Sequence, residues 1–290
     1  LSRQGRVDEL VTDYGQVIVD ECHHLPAGTF EQVARAVKAR YLVGLSATPT
    51  RKDGHHPILY MQCGPIRYRS DPRRQAAERP FDHRAIVRPT GFVLPLPGGP
   101  DTASTAGPSI QELYSLLAAD RERNALIVAD VIRAVRAGRS PVVLTERREH
   151  LETLADLLRP DVANVVLLHG GLGAKKRREI VQRLTAIEAT EERVLVATGR
   201  YLGEGFDDAR LDTLFLALPI SWRGTLAQYA GRLHRLDEGK TEVIVYDYAD
   251  LGVPVLARMH ERRLRGYRAM GYEVSQAASE AREAESIFDL

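Results

Sequence analysis

The sequence predicts an α/β protein built on two parallel sheets, the first represented by about half as many elements as the second. Three observations predict it. Short apolar, β-rich runs alternate with longer stretches of helical spacing. One segment rich in Pro and Gly interrupts that alternation about a third of the way along. Acidic, hydroxyl and glycine residues follow directly on several of the apolar runs, where ligands of open parallel sheets sit.

In the first part, Gln16-Val17-Ile18-Val19 and Tyr41-Leu42-Val43-Gly44-Leu45 read as buried strands, with helical spacing over Phe30–Ala39 between them. Residues 95–109, which include Pro95, Pro97, Gly98, Gly99, Pro100, Gly107 and Pro108, sustain neither helix nor sheet and read as a linker. Five strands are expected after it: Pro141–Thr145, Asn164–Leu168, Arg193–Ala197, Thr213–Ala217 and Glu242–Tyr246. Helices are expected over about Arg121–Ala137, Glu149–Leu158, Lys175–Ile187 and Leu226–Leu233. From Pro254 onward Arg258, Arg262, Arg263 and Arg265, then Glu280, Glu283 and Glu285, read as a solvated helical tail. The expected division is therefore a first domain over 1–94, a linker over 95–109, a second domain over 110–253 and a tail over 254–290.

Bulk properties narrow the function classes. Of 290 residues, 44% are hydrophobic and 27% charged, which suits a globular protein rather than a disordered one. Lys+Arg 40 against Asp+Glu 39 leaves no global basic field, so nucleic-acid contact needs a local patch. Lysine stands only at positions 38, 52, 175, 176 and 240, so the positive charge is mostly arginine, from phosphate recognition or from genomic bias. Cys22 and Cys63 suggest neither a disulfide framework nor a paired-cysteine zinc site. No apolar run is long enough to cross a bilayer, so no membrane partner is expected and the cytoplasm is the default location. The first residue is Leu1 rather than Met, which suggests a fragment or a processed chain.

The strand ends carry the chemistry. Val17-Ile18-Val19 runs into Asp20-Glu21-Cys22-His23-His24, where an acid can hold Mg²⁺ and a neighbouring Glu can polarise a water. The next strand runs into Ser46-Ala47-Thr48-Pro49, hydroxyls that can bridge elements or simply cap a turn. Val194-Leu195-Val196-Ala197-Thr198 is followed by a loop with Gly203, Gly205 and Asp207. Thr198 can take a nucleic-acid phosphate there, Gly205 permits close backbone approach, and Asp207 can accept from a ribose hydroxyl. In Gln228-Tyr229-Ala230-Gly231-Arg232-Leu233-His234-Arg235, the two arginines at i and i+3 share one face if the whole stretch is helical. Taken singly, each of these is also a solvated strand end, a turn or a basic helix face.

Taken together and in this order, the four segments resemble motifs two, three, five and six of the superfamily-two helicases. Val142–Arg147 and Leu168-His169-Gly170-Gly171 look like the fourth motif and its neighbour. The likeness spans residues 10–250. Its Asp-Glu-Cys-His-His form resembles the branch of XPB-like helicases and restriction-enzyme motors. It implies two RecA-like parallel-sheet domains, the first truncated at its N-terminus, with ATP between them. By resemblance Asp20 is the Mg²⁺ ligand, Glu21 the water-activating residue, and His23, His24, Ser46 and Thr48 the coupling set. Thr198 resembles a nucleic-acid contact, Gly205, Asp207 and Gln228 resemble nucleotide contacts, and Arg232 and Arg235 resemble arginine fingers. Lys175-Lys176-Arg177-Arg178, after His169, opens a helix at the end its dipole disfavours and is a candidate for phosphate backbone.

One motif of the family is not in these 290 residues. The single Gly-Lys-Thr, Gly239-Lys240-Thr241, has His234 where the phosphate loop needs its first Gly, and it precedes a strand rather than a helix. It reads as a turn. The expected function is therefore part of an ATP-dependent helicase or translocase using ATP and Mg²⁺ and no zinc, with this chain alone inactive as an ATPase. DNA is the expected partner and RNA the alternative, in a larger multidomain or multisubunit assembly. The rival readings are a nucleic-acid-binding or regulatory module that never hydrolyses ATP, and the motor segment of a defence, restriction or repair machine.

Overall fold

A computed structural model describes residues 2–3, 6–25, 28–46, 56–95, 107–171, 173–203, 208–220 and 223–277. The chain divides into two units, Leu1–Asp71 and Pro72–Leu290.

The first unit opens with a short antiparallel pair, β1 (Ser2–Arg3) and β2 (Arg6–Val7). It continues through β3 (Gln16–Val19), α1 (Gly28–Ala36), β4 (Tyr41–Gly44) and α2 (His56–Cys63). Strands β3 and β4 pair in parallel, and α1 makes the crossover a parallel pair requires. Cys22, Leu25, Ala34 and Leu59 form the small core, with Val19 and Cys63 against it. Gly44 is needed there, because a Cβ would lie 2.9 Å from both the Cys22 and the Cys63 sulfurs. The strands are not the buried runs expected from their composition: inward and outward positions alternate, leaving Ile18 58% and Tyr41 56% exposed.

The second unit runs α3 (Pro72–Ala77), β5 (Asp82–Pro89), α4 (Ile110–Ala119), α5 (Arg121–Arg136), β6 (Pro141–Thr145), α6 (Arg148–Leu158), β7 (Asn164–Leu168) and α7 (Ala174–Ala186). It continues with β8 (Arg193–Thr198), α8 (Gly199–Gly203), β9 (Thr213–Leu216), α9 (Arg223–Leu233), β10 (Glu242–Ala249), α10 (Pro254–Ala269) and β11 (Glu273–Gln276). The strands form one sheet, ordered β11-β5-β10-β9-β6-β8-β7, with every pairing parallel. Helices cover both faces, which is why β6 and β9 are buried at every position. On one face Ile127 and Val131 of α5 and Leu151 and Leu154 of α6 pack on Val143, Val196 and Phe215. On the other, Leu226 and Leu233 of α9 and Tyr267 of α10 pack on Leu144, Leu195 and Val245. Among the described residues no helix is long and apolar enough to cross a membrane.

Three expectations are corrected. The division falls at Asp71/Pro72 rather than after residue 94, because β5 pairs with β10 inside the second sheet. Residues 254–276 are not a solvated tail: Leu256, Met259 and Tyr267 are buried and β11 extends the sheet beyond β5. The second sheet has seven strands rather than five. Polar groups stitch these additions in. Arg88 of β5 makes a bidentate pair with Asp130 of α5 at 2.8 and 3.0 Å, and Arg263 of α10 another with Asp247 of β10, both at 2.7 Å.

Candidate functional site

The sequence-predicted residues fall into two groups, one in each unit. In the first, the β3–β4 ladder continues past the strand ends, with Leu45 N donating to Val19 O at 2.8 Å and Cys22 N to Leu45 O at 2.9 Å. This holds the Asp20–His24 loop beside Ser46. Asp20 is exposed, and its Oδ1 accepts from Glu21 N at 2.9 Å. Glu21 is held in the left-handed region (φ 46°, ψ 45°), the one non-glycine with positive φ among the described residues. Such a conformation costs roughly 1–3 kcal/mol and concentrates at functional sites.

The strained residue presents its carboxylate to His23. Glu21 Oε2 lies 3.2 Å from His23 Nδ1, and the same nitrogen lies 3.0 Å from Ser46 Oγ. Glu21 Oε2 is buried and has no aligned hydrogen-bond donor. The Asp20 carboxylate, exposed at the end of β3, fits a hydrated Mg²⁺. That ion takes one or two carboxylates and leaves its other positions to water and phosphate. The His24 ring lies against that of His23, their centres 4.2 Å apart and their planes tilted by 39°. Thr48 lies outside the described residues. Between the motif residues, the Cys22 thiol is pushed up to about 11 by burial and by Cys63 beside it, so it packs rather than reacts.

In the second unit the group sits at the carboxyl ends of β6 and β8 and on α9. Thr198 is half-buried at the end of β8. Gly199 follows with no room for a side chain, since a Cβ there would collide with the Tyr229 hydroxyl and the Glu146 carboxylate. Tyr229 donates to Glu146 Oε1 at 3.5 Å. Burial raises the Glu146 carboxyl pKa, an effect the tyrosine partly offsets, and burial followed by Glu146 raises that of the phenol. Glu146 and Tyr229 thus join the fourth, fifth and sixth motif segments, a link no residue pattern announces. Gly205 and Asp207 lie outside the described residues.

Gln228 and Arg232 are half-buried on α9. Arg235 is not on that helix, which ends at Leu233, so the expected shared i, i+3 face is corrected. His234 turns the chain, its N bonding to Gly231 O at 3.2 Å while its half-buried ring lies 2.7 Å from the Tyr272 hydroxyl. Arg235 therefore sits exposed in the turn beyond the helix.

The basic segment lies near Thr198. Lys175 and Lys176 are exposed in the first turn of α7, whose N-cap Gly173 offers no side-chain cap. The Arg177 guanidinium lies 5.8 Å from the ring centre of Tyr201, tying α7 to the α8 turn that follows Thr198. His169, half-buried, donates from Nδ1 to Gly170 O at 2.8 Å.

Residues 3–51 match the model of the type III restriction enzyme res subunit, and residues 120–237 match the helicase conserved C-terminal domain. A putative ATP-dependent RNA helicase of Acanthamoeba polyphaga mimivirus is 22% identical over 93% of this chain and 50% of its own length. A probable helicase of Escherichia phage T5 is 27% identical over 90% of this chain and 54% of its own. The chain thus spans about half the length of these curated relatives. A DNA 3'-5' translocase, XPB2 of Sulfurisphaera tokodaii, is 40% identical over 23% of this chain and 16% of its own. The fragment structure of a putative HsdR subunit of a type I restriction enzyme from Vibrio vulnificus shares the fold. Its TM-score is 0.64 at 18% identity, over 90% of this chain and 47% of that one. The two matched models, the motif residues and the RecA-like fold agree in supporting a superfamily-two helicase fragment, similar to the XPB-like helicases and the restriction-enzyme motors.

Proposed function

We propose that this chain supplies motor parts of an ATP-dependent translocase or helicase that moves on DNA, with Asp20 and Glu21 serving hydrolysis and Arg232 and Arg235 acting on the γ-phosphate. The observation that carries the reading is the Glu21–His23–Ser46 chain. It puts one imidazole nitrogen within 3.2 Å of the acidic group and 3.0 Å of the serine.

In this reading Asp20 would hold Mg²⁺, which would supply charge neutralisation on the phosphates. Glu21 orients the attacking water and accepts its proton, and its left-handed backbone fixes the carboxylate before substrate arrives. His23 reports the state of that carboxylate to Ser46. Thr198, Lys175, Lys176 and His169 contact the nucleic-acid backbone, while Gly205, Asp207 and Gln228 contact nucleotide. The cytoplasm is the proposed place of action, within a larger assembly.

These 290 residues hold no phosphate-loop pattern, so we infer that the chain by itself does not hydrolyse ATP. The test is ATPase activity of an ATP-hydrolysing form of the protein with single-stranded DNA, duplex DNA and RNA, beside its Glu21→Gln variant. DNA-stimulated turnover lost in the variant supports the reading. Stimulation by RNA alone moves the substrate to RNA, and hydrolysis insensitive to Glu21→Gln overturns the assignment.

A further inference from the structure

The Gly239-Lys240-Thr241 segment does not hold a phosphate, yet its lysine is one of the most densely partnered side chains of the second unit. Lys240 Nζ lies 2.6 Å from Ala209 O, 2.9 Å from Leu211 O, 3.1 Å from Leu233 O and 2.8 Å from Arg235 O. An ammonium group has three N–H donors, so four converging carbonyls fill them all, one N–H being shared. The Phe81 ring closes one side, its centre 5.7 Å away. Burial lowers the lysine's pKa, offset in part by Asp237, Asp212 and Asp208.

The local sequence explains how the side chain gets there. Lys240 N bonds to Asp237 O at 3.3 Å across a turn that needs Gly239 at φ +83°. The lysine thus comes off the base of the buried strand β10 and reaches back beneath the end of α9. A cation at a helix C-terminus satisfies carbonyls the helix leaves without partners. Helix capping alone, however, accounts only for Leu233 O. The other three carbonyls belong to the Arg235 turn and to residues 209–211, which follow the glycine-rich fifth motif. Asp208, just before that second segment, is pinned independently by Arg193, at 2.8 Å.

We propose that Lys240 is a positioning residue for Arg235: a half-buried ammonium that fixes the turn carrying this arginine against the segment leaving the fifth motif. The assignment rests on the reading of Arg235 as a γ-phosphate arginine. It explains how an exposed arginine, standing beyond its helix, is held in register without the helix itself. A misplacement of about 1 Å in such a group can slow chemistry about 10²-fold.

The test has two arms. In an ATP-hydrolysing form of the protein, ATP affinity and single-turnover hydrolysis are measured for Lys240→Met, Arg235→Ala and the double variant. Lys240→Met is expected to slow hydrolysis about 10- to 100-fold with ATP affinity little changed, and the double variant to be no slower than Arg235→Ala. In the 290-residue chain, trypsin cleavage of the Arg235–Leu236 bond, whose carbonyl Lys240 holds, is followed by mass spectrometry. It is expected to quicken several-fold in Lys240→Met.

If Arg235→Ala slows hydrolysis and Lys240→Met does not, the positioning role is overturned and the arginine reading stands. If Arg235→Ala hydrolyses at the parental rate, the arginine reading fails and the positioning role with it; faster cleavage then leaves Lys240 only as a structural clamp. Unchanged cleavage overturns the clamp as well. Should Lys240→Met not fold, Lys240→Arg serves in both arms. It keeps the charge but replaces converging donors with a flat fork, so slowed hydrolysis and faster cleavage are again expected, and parental values in both overturn the proposal.

Discussion

His23 Nδ1 and Ser46 Oγ stand 3.0 Å apart, joining the loop after β3 to the loop after β4 by a side-chain hydrogen bond. The backbone bonds that carry the ladder past the strand ends set this distance, so the contact is built into the sheet register rather than left to flexible side chains. Glu21, 3.2 Å from the same nitrogen, competes for it. One nitrogen between two partners can pass information, because whatever engages the carboxylate changes what the serine receives.

From this follows a coupling prediction. In an ATP-hydrolysing form of the protein, His23→Ala and Ser46→Ala should each cut nucleic-acid stimulation of turnover about tenfold or more while sparing ATP binding. Because the two residues form one unit, the double variant should be no worse than the more impaired single variant. Additive losses in a double-mutant cycle would show that they act separately.

A second prediction concerns Gly199. Alanine there must displace both Glu146 and Tyr229, and overpacking of this kind typically costs about 1–3 kcal/mol. Urea unfolding of Gly199→Ala should show that loss, and Gly199→Ala with Tyr229→Phe should recover part of it. Equal stability of Gly199→Ala and the parent would mean the strand ends are looser than described.

The buried arginine pairs give a third. Arg123 and Asp250 are each 1% exposed in their side chains and meet at 2.9 Å, with Thr90 Oγ1 also donating to Asp250 at 2.6 Å. Asp250→Ala strands a buried guanidinium and should destabilise the chain by about 3–5 kcal/mol. Replacing both residues by apolar ones should cost less, which denaturant titration of the three variants decides.

A fourth prediction is acid lability that sets in before the carboxylates titrate. His150 Nδ1 lies 3.0 Å from Thr145 Oγ1, and its Nε2 donates to Asn124 Oδ1, 2.9 Å away, so the ring is held deep in the second unit. Burial, then Arg123 and Arg147, push it down to about 3, and burial, then Arg79, push His234 to about 3 as well. Above the ordinary histidine value of 6.5 both rings are neutral, folded or unfolded, and stability does not depend on them. Below it the unfolded chain takes up protons that the folded chain refuses, so stability falls from pH 6.5 toward 3. Asp247, depressed in spite of its burial by Arg263 and His260, adds a further loss once pH drops below the ordinary carboxylate range. Melting temperatures between pH 8 and 5 should decline in the parent and decline less in His150→Gln; a flat parental profile would contradict the neutral-ring assignment.

Much of this was legible in the sequence, and the misses have physical causes. Unbroken apolar runs such as Pro141–Thr145 and Asn164–Leu168 announce strands buried on both faces. Strand β5, Asp-His-Arg-Ala-Ile-Val-Arg-Pro, does not, because two of its buried positions are His83 and Arg88. The distant Asp130 helps to make Arg88 tolerable there. Helix α4 did carry a signal: Ser109 and Glu112 form a capping box at the end of the segment read as linker. The motif residues at strand ends stood out because strand, acid and hydroxyl are adjacent in sequence. Arg235 was misplaced because Gln228–Arg235 has no helix breaker beyond Gly231. Beyond Leu233 the His234 ring meets Tyr272 and Lys240 caps the last carbonyl, and both of those partners come from outside the stretch. Glu146 and Tyr229, 83 positions apart, meet only in the folded sheet.

The most direct test of the central claim is single-turnover ATP hydrolysis, with and without DNA, by an ATP-hydrolysing form of the protein and its Glu21→Gln and Arg235→Ala variants. The account predicts DNA-stimulated hydrolysis in the parent, near-complete loss in Glu21→Gln, and a loss of about 10³-fold or somewhat less in Arg235→Ala. ATP binding should be retained in both variants. Parental rates in both would contradict it, leaving Glu21 a strained strand end and Arg235 a basic residue in a turn.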